Sequence, residues 1–142
     1  MAAEAEPTRL WGGRFATGPS DAMTALSASV HFDWRLAPYD IEQTRAHARV
    51  LAQAGLLTDS ELTLVQNALA DVAGRVSNGD LGPEAQDEDV HTAIERHLIA
   101  ILGDLGGKLR AGRSRNDQVS TDFRMYLRHQ VQVIAREVID LE

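Results

Sequence analysis

The chain contains no cysteine. That excludes a disulfide framework and a thiolate metal site. No apolar run approaches the roughly 18 residues needed for a membrane-spanning helix, so no membrane association is expected. Residues 1–20 lack a basic stretch followed by an apolar core, so no secretory signal is read and a cytoplasmic protein is expected. Cations are the minority charge, with 14 Lys and Arg against 21 Asp and Glu and a net charge of −7. A nucleic-acid partner is therefore not expected, because general polyanion binders carry a basic surface. Also missing are strand-like alternation, an internal repeat, a phosphate-binding glycine loop, a nucleophile–base pair and a His-x-x-x-His spacing, so no metal is predicted.

What remains is a helical pattern. Residues 1–20 are irregular, with Trp11 and Phe15 as apolar anchors of either an arm that packs or a loose tail. A short helix is expected after Pro19-Ser20. A second is expected from near Asp33, with Pro38 in its first turns, Ile41, Thr44, Ala48 and Leu51 on one face, and an end at Gly55. Thr58-Asp-Ser-Glu61 is a capping box ahead of Leu62, Val65, Leu69, Val72 and Val76, and Gly79 closes that helix. Asp87-Glu-Asp89 opens a fourth helix with Val90, Ile94, Leu98 and Ile101 as its stripe, ending at Gly103. A fifth starts near Ser114, with Phe123, Leu127, Ile134, Val138 and Leu141 on one side and Val119, Tyr126 and Val133 on another. Two apolar sides imply neighbours on two sides, as in a bundle. Acids close the chain where a helix end favours bases, so a chain cut inside a long helix is expected. The fold class read from this pattern is all-α.

Three stretches carry chemistry. Gly106 to Gln118 gathers Lys108, Arg110, Arg113 and Arg115 in an otherwise acidic chain. Ser114 can cap the following helix, aiming free N–H groups at the stretch. Arg113 and Arg115 can each grip a carboxylate or phosphate through two parallel hydrogen bonds, and Asn116 adds a neutral donor and acceptor. A small anion site is one reading; a solvated connector, its arginines paired to acids on the third or fourth helix, is the other. His91, in the first turn of the fourth helix, either faces a cleft or is a surface histidine after capping acids. Ser27 to Asp33 places small hydroxyls before an acid and is either a cap or part of a site.

Taken together, the segments resemble the N-terminal part of the argininosuccinate lyases, in the fumarase/aspartase superfamily, which also includes delta-crystallin. The resemblance rests on Leu10-Trp-Gly-Gly-Arg-Phe15, Ser27 to Asp33, Ala54-Gly-Leu-Leu57, Asp87-Glu-Asp-Val-His-Thr-Ala-Ile-Glu95 and Gly107 to Val119, in family order and spacing. Gly112-Arg-Ser-Arg-Asn-Asp-Gln118 is its most specific element, and Ile94, where the family has Asn, is a departure. The resemblance implies cleavage of argininosuccinate to arginine and fumarate without cofactor or metal. It implies a homotetramer whose subunits share active sites. It assigns Ser29, Arg115 and Asn116 to substrate binding, with Asp33, Asp89, His91 and Arg113 as further candidates. It places the general-base histidine and the acid serine in a Thr-His motif and a Gly-Ser-Ser loop, neither present in these 142 residues. The implied domains are a helical one over 1–112, with an extended arm over 1–20, and the first part of a central bundle over 113–142. A catalytically silent crystallin-like homologue and a stand-alone carboxylate-binding module are the rival expectations.

Overall fold

The helix starts are set by polar side chains at the expected places. The computed structural model describes residues 20–142, so the arm around Trp11 and Phe15 lies outside the described residues. Ser20 accepts from the Met23 N–H and starts α1, Asp21–Ser27. Thr58 starts α4, Asp59–Asn78, with both bonds of the capping box formed to Glu61. Asp89 accepts from the Thr92 N–H at 2.7 Å and starts α5, Val90–Leu102. Ser114 starts α7, Arg115–Leu141; its side chain accepts from the Asn116 N–H, and its backbone N–H donates to the Asp117 carboxylate. Each such cap satisfies a donor that the helix itself cannot. Among the described residues every regular element is helical, and no helix is long and apolar enough to cross a membrane.

The second helix departs from expectation. Asp33 ends a short helix, α2 (Val30–Asp33), instead of starting a long one. A 3₁₀ turn follows over Trp34–Leu36, and α3 runs Ala37–Gln53. Pro38 explains the break, because it has no N–H to bond the carbonyl four residues back, so it can sit only at the opening of a new helix. The cation-rich stretch is also shorter than read, because Gly106 to Lys108 belong to α6, Asp104–Lys108. Gly106 permits that close packing: a Cβ there would lie 2.9 Å from the Ile99 Cα on α5.

The core lies where α3, α4 and α5 meet. Ile41, Val65, Leu69, Val72, Val90 and Ile94 are all buried to 1% exposure or less, as the stripes require. Ile101 is exposed instead, since steps of four from Ile94 and Leu98 lead to Leu102, which is half-buried.

α7 packs on α3 through residues of its N-terminal half, among them Gln118, Asp122 and Tyr126. Tyr39 meets Tyr126 edge to face at 5.9 Å, and the Tyr39 hydroxyl lies 2.6 Å from His129 Nδ1. The single buried residue of α7 is an acid, Asp122. Phe123, Leu127, Val131, Ile134 and Val138 are 44–64% exposed, and among the described residues nothing covers them. The expectation of neighbours on two sides is thus met on one side within this chain.

Candidate functional site

A cleft of about 450 Å³ opens where α3, α5 and the residues leading into α7 converge. Its wall includes His91, Arg113, Arg115 and Asn116, together with Asp40 and Gln118. The turn that delivers them needs Gly112, whose φ of +67° is a conformation other residues seldom adopt. The Ser114 cap then directs the first N–H groups of α7 toward the same end of the fold. The positive helix-end dipole and the guanidinium groups favour an anion there, against the Asp40 and Glu95 carboxylates of the same wall.

Three of the four cations in the stretch are engaged by acids, as the connector reading held. Lys108 pairs with Glu61 on α4, Arg110 Nε lies 3.4 Å from Glu95 on α5, and Arg115 Nε lies 3.1 Å from the Asp89 carboxylate. Burial pushes the Glu95 carboxyl above its ordinary value, with Arg110 and Arg115 opposing. Arg115 also donates to Gln118 Oε1 at 3.2 Å and to Thr92 Oγ1 at 3.3 Å. Arg113 differs, because its partners are neutral: it donates to Thr44 Oγ1 at 2.9 Å and to Gln43 Oε1. Burial lowers the Arg113 pKa, and Asp40, Asp122 and Asp117 oppose that shift.

His91 is neither a surface residue nor an isolated cleft lining. It is 2% exposed, and its Nδ1 lies 2.9 Å from Asp40 Oδ1 and 3.6 Å from Asp122 Oδ2. Both acids are buried as well. Burial and the adjacent Asp40 carboxylate push the Asp122 carboxyl up from 3.8 to about 7, although His91 and Arg113 pull the other way. The folded chain therefore holds a proton that an unfolded one releases. That contribution to stability is complete below about pH 3.8 and is lost as pH rises through about 7.

Asp40, His91 and Asp122 also form a buried set of metal-ligand type, with their donor atoms within 4.8 Å of one another. The 2.9 Å contact of His91 with Asp40 is of hydrogen-bond length.

Ser29 and Asp33 stand outside the cleft wall. The Ser29 hydroxyl donates to Asp33 at 2.6 Å, the Ser29 N–H donates to the Glu88 carbonyl at 2.7 Å, and Asp33 Oδ1 accepts from the Val90 N–H at 3.1 Å. They brace the entry to α5 from the side of α2, while Asp89 joins the cleft through Arg115. Ile94 is buried in the cleft wall beside His91.

Sequence reading missed Asp40, Asp122, Gln43 and Gln118. A signal existed for the two acids. Asp40 steps by four to Thr44 and Ala48 on the buried face of α3, and Asp122 falls between Val119 and Tyr126 on an apolar stripe. An acid at a core position needs partners, and it points to a buried network.

Comparison with known proteins bears on the family of the chain. A protein family described as lyases matches residues 13–142. A protein of Saccharopolyspora erythraea named argininosuccinate lyase is 60% identical over 142 residues, covering 99% of this chain and 30% of that protein. One of Streptomyces coelicolor with the same name is 58% identical over 143 residues, again covering 30% of its length. One of Acidothermus cellulolyticus is 55% identical over 134 residues. The chain thus spans about 30% of the length of the curated relatives it matches. With a match over nearly its whole length and an all-α fold to go with it, the chain belongs to the lyase family.

Proposed function

We propose that this segment is the N-terminal part of an argininosuccinate lyase, a carbon–nitrogen lyase that releases fumarate and arginine. The observation that carries the reading is the convergence of Arg113, Arg115 and Asn116 on one cleft at the N-terminus of α7, in a chain 55–60% identical to proteins bearing that name. Elimination starts with loss of a proton beside a carboxylate. The charge that develops spreads into that carboxylate, and the guanidino nitrogen then leaves with a proton. A carbanion delocalised in this way is a dianion, and preorganised guanidinium, amide and N–H donors lower its energy.

In this reading Arg115 and Asn116 hold a substrate carboxylate, Ser29 contributes from the α2 side, and Asp33, Asp89, His91 and Arg113 set the geometry. The base and acid come from other segments of the complete enzyme, and no cofactor is invoked. The exposed apolar face of α7 supports a homotetramer in which active sites are shared, with residues 113–142 entering a central bundle and 1–112 forming a separate helical domain. A cytoplasmic enzyme of arginine biosynthesis fits that scheme.

The test is fumarate absorbance on adding argininosuccinate. A full-length enzyme carrying this segment is expected to produce fumarate, and the 142-residue chain alone to produce none. An inactive full-length enzyme, properly assembled, would contradict the lyase reading. Turnover by the isolated chain would contradict the placing of the acid and base elsewhere.

A further inference from the structure

We propose that Asp40 and Asp122 are positioning residues that act through Gln118 and Gln43 to aim the cleft arginines Arg115 and Arg113. The inference rests on the proposed lyase reading and extends it to residues that never reach the substrate.

A carboxamide has a donor end and an acceptor end, and whatever fixes one end fixes the other. Gln118 Nε2 donates to Asp40 Oδ1 at 3.4 Å, which leaves Gln118 Oε1 facing Arg115, the donor to it at 3.2 Å. Gln43 repeats the arrangement. Its Nε2 donates to Asp122 Oδ1 at 2.9 Å, and its Oε1 accepts from Arg113. The same Nε2 also donates to the Gln118 carbonyl at 3.0 Å, tying the two relays together.

An ionised carboxylate can only accept, and a protonated one still accepts at its bare oxygen, so Asp40 Oδ1 and Asp122 Oδ1 draw each amide nitrogen inward and leave the amide oxygen toward the arginine, with the unpartnered Asp122 Oδ2 as the place for a proton. An asparagine in the acid's place can offer either end, and the relay loses its sense. His91 locks the back of the network. Its Nδ1 holds the Asp40 carboxylate at 2.9 Å and itself lies 3.6 Å from Asp122 Oδ2, the oxygen that has no hydrogen-bond partner among the described residues. The charged and titratable groups facing the network include Asp40 on α3, His91 and Glu95 on α5, Asp122 on α7 and Arg113 from the preceding turn, with Asp117 and Arg115 beyond it. Burial and the Asp40 carboxylate push the Asp122 carboxyl up to about 7, so uptake of a proton eases the repulsion between the two acids. With one acidic proton shared, the pair still presents an accepting oxygen to each glutamine.

The experiment is a double-mutant cycle in a full-length enzyme carrying this segment. Gln118→Met removes both hydrogen bonds at similar size and is expected to lower kcat/KM about tenfold, near the lower end for a hydrogen bond to a charged group, with an unchanged melting temperature. Asp40→Asn alone is expected to lower it similarly, and in the Gln118→Met background to add less than about twofold, because the route to Arg115 is already cut. Gln43→Met tests the second relay by the same measure. Should Asp40→Asn fail to fold, the two glutamine variants still decide. Wild-type kinetics for both would overturn the proposal, and so would a full tenfold further loss on adding Asp40→Asn to Gln118→Met. If the unaltered enzyme itself makes no fumarate, the lyase reading has failed instead.

Discussion

Arg115→Lys in a full-length enzyme carrying this segment is expected to lower kcat/KM by about 10- to 150-fold, the range given by losing a charge-assisted hydrogen bond of roughly 1.5–3 kcal/mol. Lysine keeps the charge but loses the planar fork. Arg115 needs that fork, because it pairs with Asp89, accepts guidance from Gln118 and reaches Thr92 while still bordering the cleft. A point charge on a flexible stem cannot meet three fixed partners and a substrate carboxylate together. Asn116→Leu, which removes the amide at similar size, is expected to fall in the same range. Asn116 is exposed at the cleft and its side chain supports no core contact, so its loss should leave thermal stability near that of the wild type. The connector reading gives a different answer. Exposed ion pairs contribute roughly 0–1 kcal/mol, so Arg115→Lys would then change activity only by about twofold. Near-wild-type kinetics for both variants, in an intact assembly, would return the stretch to that reading.

Leu69→Ala is expected to destabilise the isolated chain by about 2–5 kcal/mol, through lost burial plus the cavity left behind. Leu69 is fully buried on α4 between the helices that form the core. Against a total stability of roughly 5–15 kcal/mol for a domain, that is a large fraction. Leu64 on the same helix is 55% exposed, and Leu64→Ala should stay within about 0.5 kcal/mol. Urea denaturation of the pair checks the assignment. Equal midpoints would mean that the α4 stripe does not form the core described.

Much of this was legible in the sequence, for physical reasons that differ by element. Thr58, Asp89 and Ser114 announced helix starts, because a side-chain oxygen before an apolar-periodic run satisfies backbone donors. The stripes of α3 and α4 announced the core. The cation-rich turn into α7 announced a candidate site through glycine, arginine and a cap in close succession, and these residues do line a cleft. Three things were not legible. The break before Ala37 was hidden because Pro38 fits either inside a first turn or at the start of a new helix, and local sequence does not choose between them. The last stripe residue of α5 was misread, although its end at Gly103 was not, because a stripe that steps by three or four leaves Ile101 and Leu102 equally eligible. The Asp40–His91–Asp122 network was missed because it joins residues 51 and 82 positions apart on three helices, and only tertiary packing brings the two acids to 2.9 and 3.6 Å from His91 Nδ1. His91 was noticed alone; its meaning lay in partners that looked like ordinary acids in amphipathic helices.

The central claim is that the cleft at the start of α7 holds a substrate carboxylate. It is tested most directly by a crystal structure of a full-length enzyme carrying this segment, grown with fumarate. The account predicts one fumarate carboxylate within about 3 Å of both the Arg115 guanidinium and the Asn116 amide, with Arg113 behind it on Gln43 and Thr44. Fumarate bound with both carboxylates on residues remote from Arg115 and Asn116, and none in this cleft, would contradict it.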